Sequence, residues 1–128
     1  MKNTKKLIKI FMGIVLLSIT LVFSSCGGGG DGDARNVTIS WVPNGERAVN
    51  SDGGGYTVYY SQTTGFELAA ATEAVALPYD ATLGYTPYSF ERSLATGIWY
   101  VKMKAYGKPL GGALAESPIS SEYSFTVQ

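Results

Sequence analysis

One thiol, no imidazole, ten carboxylates and nine phenols bound the chemistry open to this 128-residue chain. The thiol is Cys26, set between Ser24-Ser25 and the four glycines Gly27 to Gly30. Without histidine, neither a Ser-His-Asp nor a Cys-His nucleophile pair can be assembled. Imidazole and thiolate sites for zinc, copper, haem or iron-sulfur clusters likewise lack their ligands, and a single cysteine excludes a disulfide within the chain. Carboxylates held about 5 to 10 Å apart can run acid-base or glycoside chemistry, but no motif singles out a pair. Glu67 and Glu73 fall in a segment of mixed character, and Glu91, Glu116 and Glu122 fall at outward or turn positions. They read as solvated surface charge. Asp31-Gly-Asp33 and Asn50-Ser-Asp52-Gly lack the roughly six oxygens and the bidentate acid of a calcium loop. Neither Gly27 to Gly30 nor Gly53 to Gly55 opens a helix, as a phosphate cradle requires. No enzyme activity, metal or cofactor is expected. Tyrosine is better suited to binding, because it offers rigid amphipathic area at low entropic cost. Tyr59, Tyr100 and Tyr106 are predicted to point outward from central strands, where they either grip a ligand or pair with neighbours such as Lys102 and Lys104.

Four lysines (Lys2, Lys5, Lys6, Lys9) precede an apolar stretch from Ile10 to Phe23, and small residues then lead to Cys26. This is the layout of a secretory signal. Crossing a bilayer takes about 20 apolar residues, more than this stretch supplies, and Gly13, Ser18 and Thr20 interrupt it. The segment resembles a bacterial lipoprotein signal, departing from it at Phe23, where the family usually has leucine. The resemblance implies that residues 1–25 are a signal peptide and that Cys26 becomes the first mature residue, its thiol carrying acyl chains such as palmitate. Two or more chains hold a protein on a membrane stably, whereas one does so only reversibly. Residues 26–34 read as a tether, since glycine has no side chain to bury and the most backbone freedom to lose. Gly27 and Gly28 stand where an aspartate is associated with inner-membrane retention, which implies the outer membrane or cell surface.

Removing the signal leaves six Lys and Arg against ten Asp and Glu, a net charge of −4. A mildly acidic domain lacks the basic stripe that phosphate contacts need, so nucleic acid is not an expected partner. Residues 35–128 are long enough for one domain with its own core. Their dominant period is two, the mark of strands with one buried face. Val37-Thr-Ile39-Ser-Trp41, Tyr56-Thr-Val58-Tyr-Tyr60, Tyr88-Ser-Phe90-Glu, Trp99 to Ala105 and Tyr123 to Val127 all alternate. The segment Phe66 to Leu77 reads as an irregular edge strand, with a short helical turn as the alternative. Short strands and glycine-rich turns predict an all-β, two-sheet sandwich.

The order Val-x-Ile-x-Trp41, Tyr-x-Val-x-Tyr60, Tyr-x-Phe90, Leu94-x-x-Gly97-x-Trp99-Tyr100-Val-x-Met-x-Ala-Tyr106, then Ser117-Pro118 and Glu122 to Val127, resembles a fibronectin type III domain over nearly the whole mature chain. The resemblance implies an immunoglobulin-like sandwich with Trp41 in the core and Leu94 at the turn into the sixth strand. Two departures follow. Where the tyrosine corner of such sandwiches expects a phenol, alternation turns Trp99 inward, so either the indole N–H takes that hydrogen bond or Tyr100 folds back. The first strand is short or absent, which leaves a sheet edge open to another chain. The function expected is that of a lipid-anchored, non-enzymatic binding, adhesion or spacer module of the cell envelope, whose partner is an envelope protein or polysaccharide. The alternative is a carbohydrate-binding accessory lipoprotein that uses the Tyr59, Tyr100 and Tyr106 face. The loops Asn44 to Gly55 and Gly107 to Glu116, the latter with exposed leucines, are further candidates.

Overall fold

The computed structural model describes residues 34–110 and 112–128. The expected signal peptide 1–25, Cys26 and the expected tether up to residue 33 lie outside the described residues. Seven strands follow in order: β1 (Ala34–Ser40), β2 (Gly55–Ser61), β3 (Glu73–Pro78), β4 (Ser89–Ala95), β5 (Gly97–Gly107), β6 (Ala115–Glu116) and β7 (Tyr123–Val127). They form two antiparallel sheets, one pairing β1 with β4 and the other ordered β3-β2-β5 with both β6 and β7 on the far side of β5. Packed together they make the expected all-β sandwich. No strand among the described residues precedes β1, and among their strands β1 pairs only with β4.

Alternation supplies the core. Val37, Ile39 and Trp41 from β1 and its exit meet Tyr56, Val58 and Tyr60 of β2 and Trp99, Val101, Met103 and Ala105 of β5, while Leu94, Phe125 and Val127 close the ends. Burying side chains of this size stabilises by about 1.5–3 kcal/mol each. Aromatic edges interlock at the centre. Trp41 meets Tyr56 edge-on at 5.3 Å, and Tyr60 lies between Trp99 at 5.8 Å and Phe90 at 6.4 Å. The Trp41 indole N–H is buried there without a hydrogen-bond partner.

The segment Phe66 to Leu77 combines both of its expected forms: Leu68–Ala70 make one 3₁₀ turn, and Glu73–Pro78 then run as the edge strand β3. The strand expected from Tyr88 begins one residue later, at Ser89, and runs on to Ala95. Between β4 and β5 the chain changes sheet through Thr96 alone. Gly97 makes this possible at φ 129°, a backbone that side-chain-bearing residues rarely adopt. At this corner the Trp99 indole donates to the Ala95 carbonyl at 2.9 Å, so of the two expected solutions the indole is the one present.

Candidate functional site

The outward face of the larger sheet carries Tyr59 on β2 and Tyr100, Lys102, Lys104 and Tyr106 on β5, as their alternation requires. Register sets Tyr106 apart from the other two and makes Tyr59 and Tyr100 diagonal neighbours. Tyr59 stands opposite Lys102, Tyr100 opposite Ser61 and Tyr106 opposite Gly55, with Lys102 and Lys104 between the two tyrosines of β5. All three are half-buried, and no ring contact joins any two of them. Tyr106 lies across Gly55, where a Cβ would overlap the phenol, and burial raises its pKa.

Lys102 organises the middle of this face. Its ammonium donates to the Phe66 carbonyl at 2.8 Å, sits 4.7 Å from the Phe66 ring centroid and pairs with Glu122 at 3.5 Å. Glu122 in turn accepts from the Thr64 hydroxyl at 2.9 Å and the Gly65 amide at 2.8 Å. Burial opposes the ionised Glu122 carboxyl, but these donors and Lys102 outweigh it and hold the pKa below the ordinary value. The loop after β2 is thereby folded onto the sheet, and Phe66 is buried outside the main core. Lys104 pairs with Glu116 at 3.2 Å. The tyrosine face is therefore largely occupied by its own lysines, acids and loop.

A second cluster joins the two sheets. Glu73 of β3 accepts from the Tyr60 phenol through one oxygen and from the Arg92 guanidinium of β4, at 2.8 Å, through the other. Burial, followed by donation to this carboxylate, pushes the Tyr60 phenol up to about 12. The phenol, and after it Arg92, holds the Glu73 carboxyl below its ordinary value. A phenol so placed is a hydrogen-bond donor at neutral pH, and the cluster works as a clasp between the sheets.

The loops differ from their sequence reading. Asn44 to Gly55 buries Val49 completely. The Thr86 hydroxyl donates to the Val49 carbonyl at 2.6 Å, the Asn44 amide to the Tyr56 phenol oxygen at 2.9 Å, and the Asn50 side chain to the Asn44 carbonyl at 2.9 Å. This loop is packed and internally bonded. Gly107 to Glu116 does expose its leucines, Leu110 by 90 % and Leu114 by 56 %.

Sequence reasoning missed the pair Tyr85 and Tyr88, whose exposed rings lie 5.9 Å apart on the loop before β4. That loop is stiffly held. Asp80 Oδ1 accepts from the Thr82 and Leu83 amides, and Tyr85 is bridged back to Asp80. The legible signal was two tyrosines flanking Thr86-Pro87 just after Gly84. Among the described residues no group of three or more acids or cysteines is placed to hold a metal ion, and no helix is long and apolar enough to cross a membrane. Comparison of the chain with protein-family models, with curated proteins and with solved structures finds no match.

Proposed function

We propose that this chain is a lipid-anchored, non-enzymatic binding or spacer module of the bacterial envelope, exported to the outer membrane or cell surface and held there through Cys26. The observation that carries this reading is the polarity of the sandwich. The chain enters β1 at Ala34, beside Ala95, and the Arg35 side chain reaches the Gln128 carbonyl at 3.2 Å, so entry and exit share one pole. The loops 41–54, 79–88 and 108–114 leave from the strand ends at the other pole. A tether at the entry pole leaves the opposite pole facing away from the bilayer, with Val42, Leu83, Tyr85, Tyr88, Leu110 and Leu114 exposed there. Apolar side chains on a stiff scaffold are suited to holding an envelope protein or polysaccharide by contact.

A fibronectin type III domain is the finer reading of the fold. It is supported by the strand pairing, in which β1 and β4 stand for the second and fifth strands and β2, β5 and β7 for the third, sixth and seventh, and by the Trp99 indole bond at the corner. The carbohydrate-binding alternative draws support from the exposed Tyr85 and Tyr88 pair more than from Tyr59, Tyr100 and Tyr106, which stand among lysines.

Feeding cells a labelled fatty acid and fractionating them tests the anchor. The unaltered chain is expected to carry label in the membrane fraction and Cys26→Ser to carry none. Label retained by Cys26→Ser refutes the site. On a glycan array, saturable binding lost in Tyr85→Ala/Tyr88→Ala but kept in Tyr59→Ala/Tyr100→Ala moves the assignment to the carbohydrate-binding alternative.

A further inference from the structure

An asparagine followed by glycine can react with its own backbone. The amide nitrogen of the next residue attacks the side-chain carbonyl carbon and closes a succinimide ring, and glycine, lacking a Cβ, leaves that approach open. A folded chain permits this where the attacking N–H is free, where a donor supports the carbonyl oxygen as it takes up charge, and where the departing amino group is not held.

Of the three asparagines among the described residues, only Asn44 meets these conditions. Asn50 is followed by Ser51, and its side-chain nitrogen is held by the Asn44 carbonyl at 2.9 Å and the Glu46 carbonyl at 3.1 Å. Asn36 is paired within β1 to Ser93 of β4 and is followed by Val37, whose branched, buried side chain crowds the amide that would attack. Asn44 is followed by Gly45, which is exposed and has nothing within 4 Å of the place a Cβ would take. Neither the Gly45 amide nor the Asn44 side-chain nitrogen donates a hydrogen bond among the described residues. Asn44 Oδ1 accepts from the Glu46 amide at 3.3 Å. Nucleophile, carbonyl and leaving group are thus available at one place.

We propose that Asn44 and Gly45 form a self-modification site, at which Asn44 passes through a cyclic imide to aspartyl and isoaspartyl linkages. The Gly45 nitrogen gives up its proton and bonds to Asn44 Cγ, the Cγ–Nδ2 bond breaks, and ammonia leaves with that proton. Water then adds at either ring carbonyl and breaks its bond to nitrogen, leaving a carboxyl group on carbon and returning a hydrogen to the Gly45 nitrogen. Nothing is oxidised or reduced. Opening at Cγ gives the aspartyl form, whereas opening at the main-chain carbonyl gives the isoaspartyl form and moves a methylene group into the main chain. Either way position 44 gains a carboxylate. The isoaspartyl form also lengthens the chain between two anchors, the Asn44 amide on the Tyr56 phenol oxygen and the Glu46 carbonyl that accepts from the Val49 and Asn50 amides. The loop 41–54 is therefore loosened as the molecule ages.

The test incubates the full chain, made in cells and extracted in mild detergent, in heavy-oxygen water at pH 8, both in native buffer and in urea, before peptide mapping by mass. The Asn44 peptide is expected to take up heavy oxygen and resolve into two isomers nearly as fast in native buffer as in urea, while Asn36 and Asn50 stay unchanged in native buffer. Gly45→Ala sets a methyl group beside the attacking nitrogen in space that is open, so it should keep its unfolding midpoint and convert at least about tenfold more slowly. In isoaspartyl molecules the Val49 and Asn50 amides should exchange faster with solvent. An Asn44 that stays intact in native buffer overturns the proposal, whether or not it converts in urea. So does native conversion at Asn36 or Asn50 that matches Asn44, or conversion that Gly45→Ala does not slow in either buffer. Exchange at Val49 and Asn50 that is unchanged in the isoaspartyl form overturns the loosening.

Discussion

Removing one oxygen tests the clasp between the sheets. In Tyr60→Phe the ring keeps its place between Trp99 and Phe90, with Tyr60 only 1 % exposed, so packing is preserved while the phenol's bond to Glu73 and its interaction with Arg92 are lost. A hydrogen bond to a charged group is worth about 1.5–3 kcal/mol. Because the Glu73 side chain is 43 % exposed and water can replace the phenol, about 1 kcal/mol is the expected cost at neutral pH. The larger signal is in alkali. The folded phenol ionises at about 12 against an ordinary value of 10.0, so the stability it adds is complete below about pH 10 and drains away as pH climbs toward 12.

A shift of this size corresponds to about 2.7 kcal/mol, which solvent at Glu73 trims to about 1–2 kcal/mol. Urea unfolding followed by tryptophan fluorescence at pH 8 to 11.5 reads this directly, since Trp41 and Trp99 are both buried. The unaltered chain and Tyr60→Phe share every other titrating group, so the difference between their stabilities isolates this phenol. That difference should narrow, and then change sign, as pH passes 10. Curves that stay parallel from pH 8 to 11.5 refute the argument.

Trp99→Phe deletes the indole bond to the Ala95 carbonyl at the corner between sheets and should cost about 1–3 kcal/mol; an unchanged melting temperature would show that the corner does not depend on it. At Gly55 a Cβ would overlap the Tyr106 phenol and come within 2.6 Å of the Leu77 carbonyl, whereas at Gly45 it would meet nothing within 4 Å. Gly55→Ala is therefore expected to destabilise by about 1–3 kcal/mol and Gly45→Ala by no more than about 0.5 kcal/mol, as measured by denaturant midpoint.

Period two revealed the parts of the fold whose burial is decided locally. Val37, Ile39 and Trp41, and Trp99 through Ala105, are buried where alternation put them, because a pleated strand with one wet face has no other way to arrange them. Val49 escaped notice because one apolar residue among polar neighbours has no period, and its burial depends on Thr86, 37 residues away. Phe66 escaped for the opposite reason. It is buried on the sheet face that alternation assigns to water, under a lysine 36 residues later. In Phe66 to Leu77 helical composition and edge-strand pattern competed, and the chain satisfies each over its own few residues. As for the candidate site, the outward direction of Tyr59, Tyr100 and Tyr106 was legible, but the lysines and loop among them were not.

That difference bears on where a ligand can be held. An aromatic row grips a flat partner when its rings are contiguous and uncovered, and here Lys102 stands opposite Tyr59 and its ammonium is drawn to Phe66 and Glu122. Opening the row would break the Lys102 and Glu122 bonds that hold the loop after β2 in place. Any binding energy from the tyrosines would first have to offset that loss. Tyr85, Tyr88, Leu110 and Leu114 carry no such obligation, because their rings and methyl groups already face water while the backbone beneath Tyr85 and Tyr88 is held by Asp80, Thr86 and Trp41. Contact there covers exposed apolar surface without dismantling anything, so the loop pole is the better place to hold a partner.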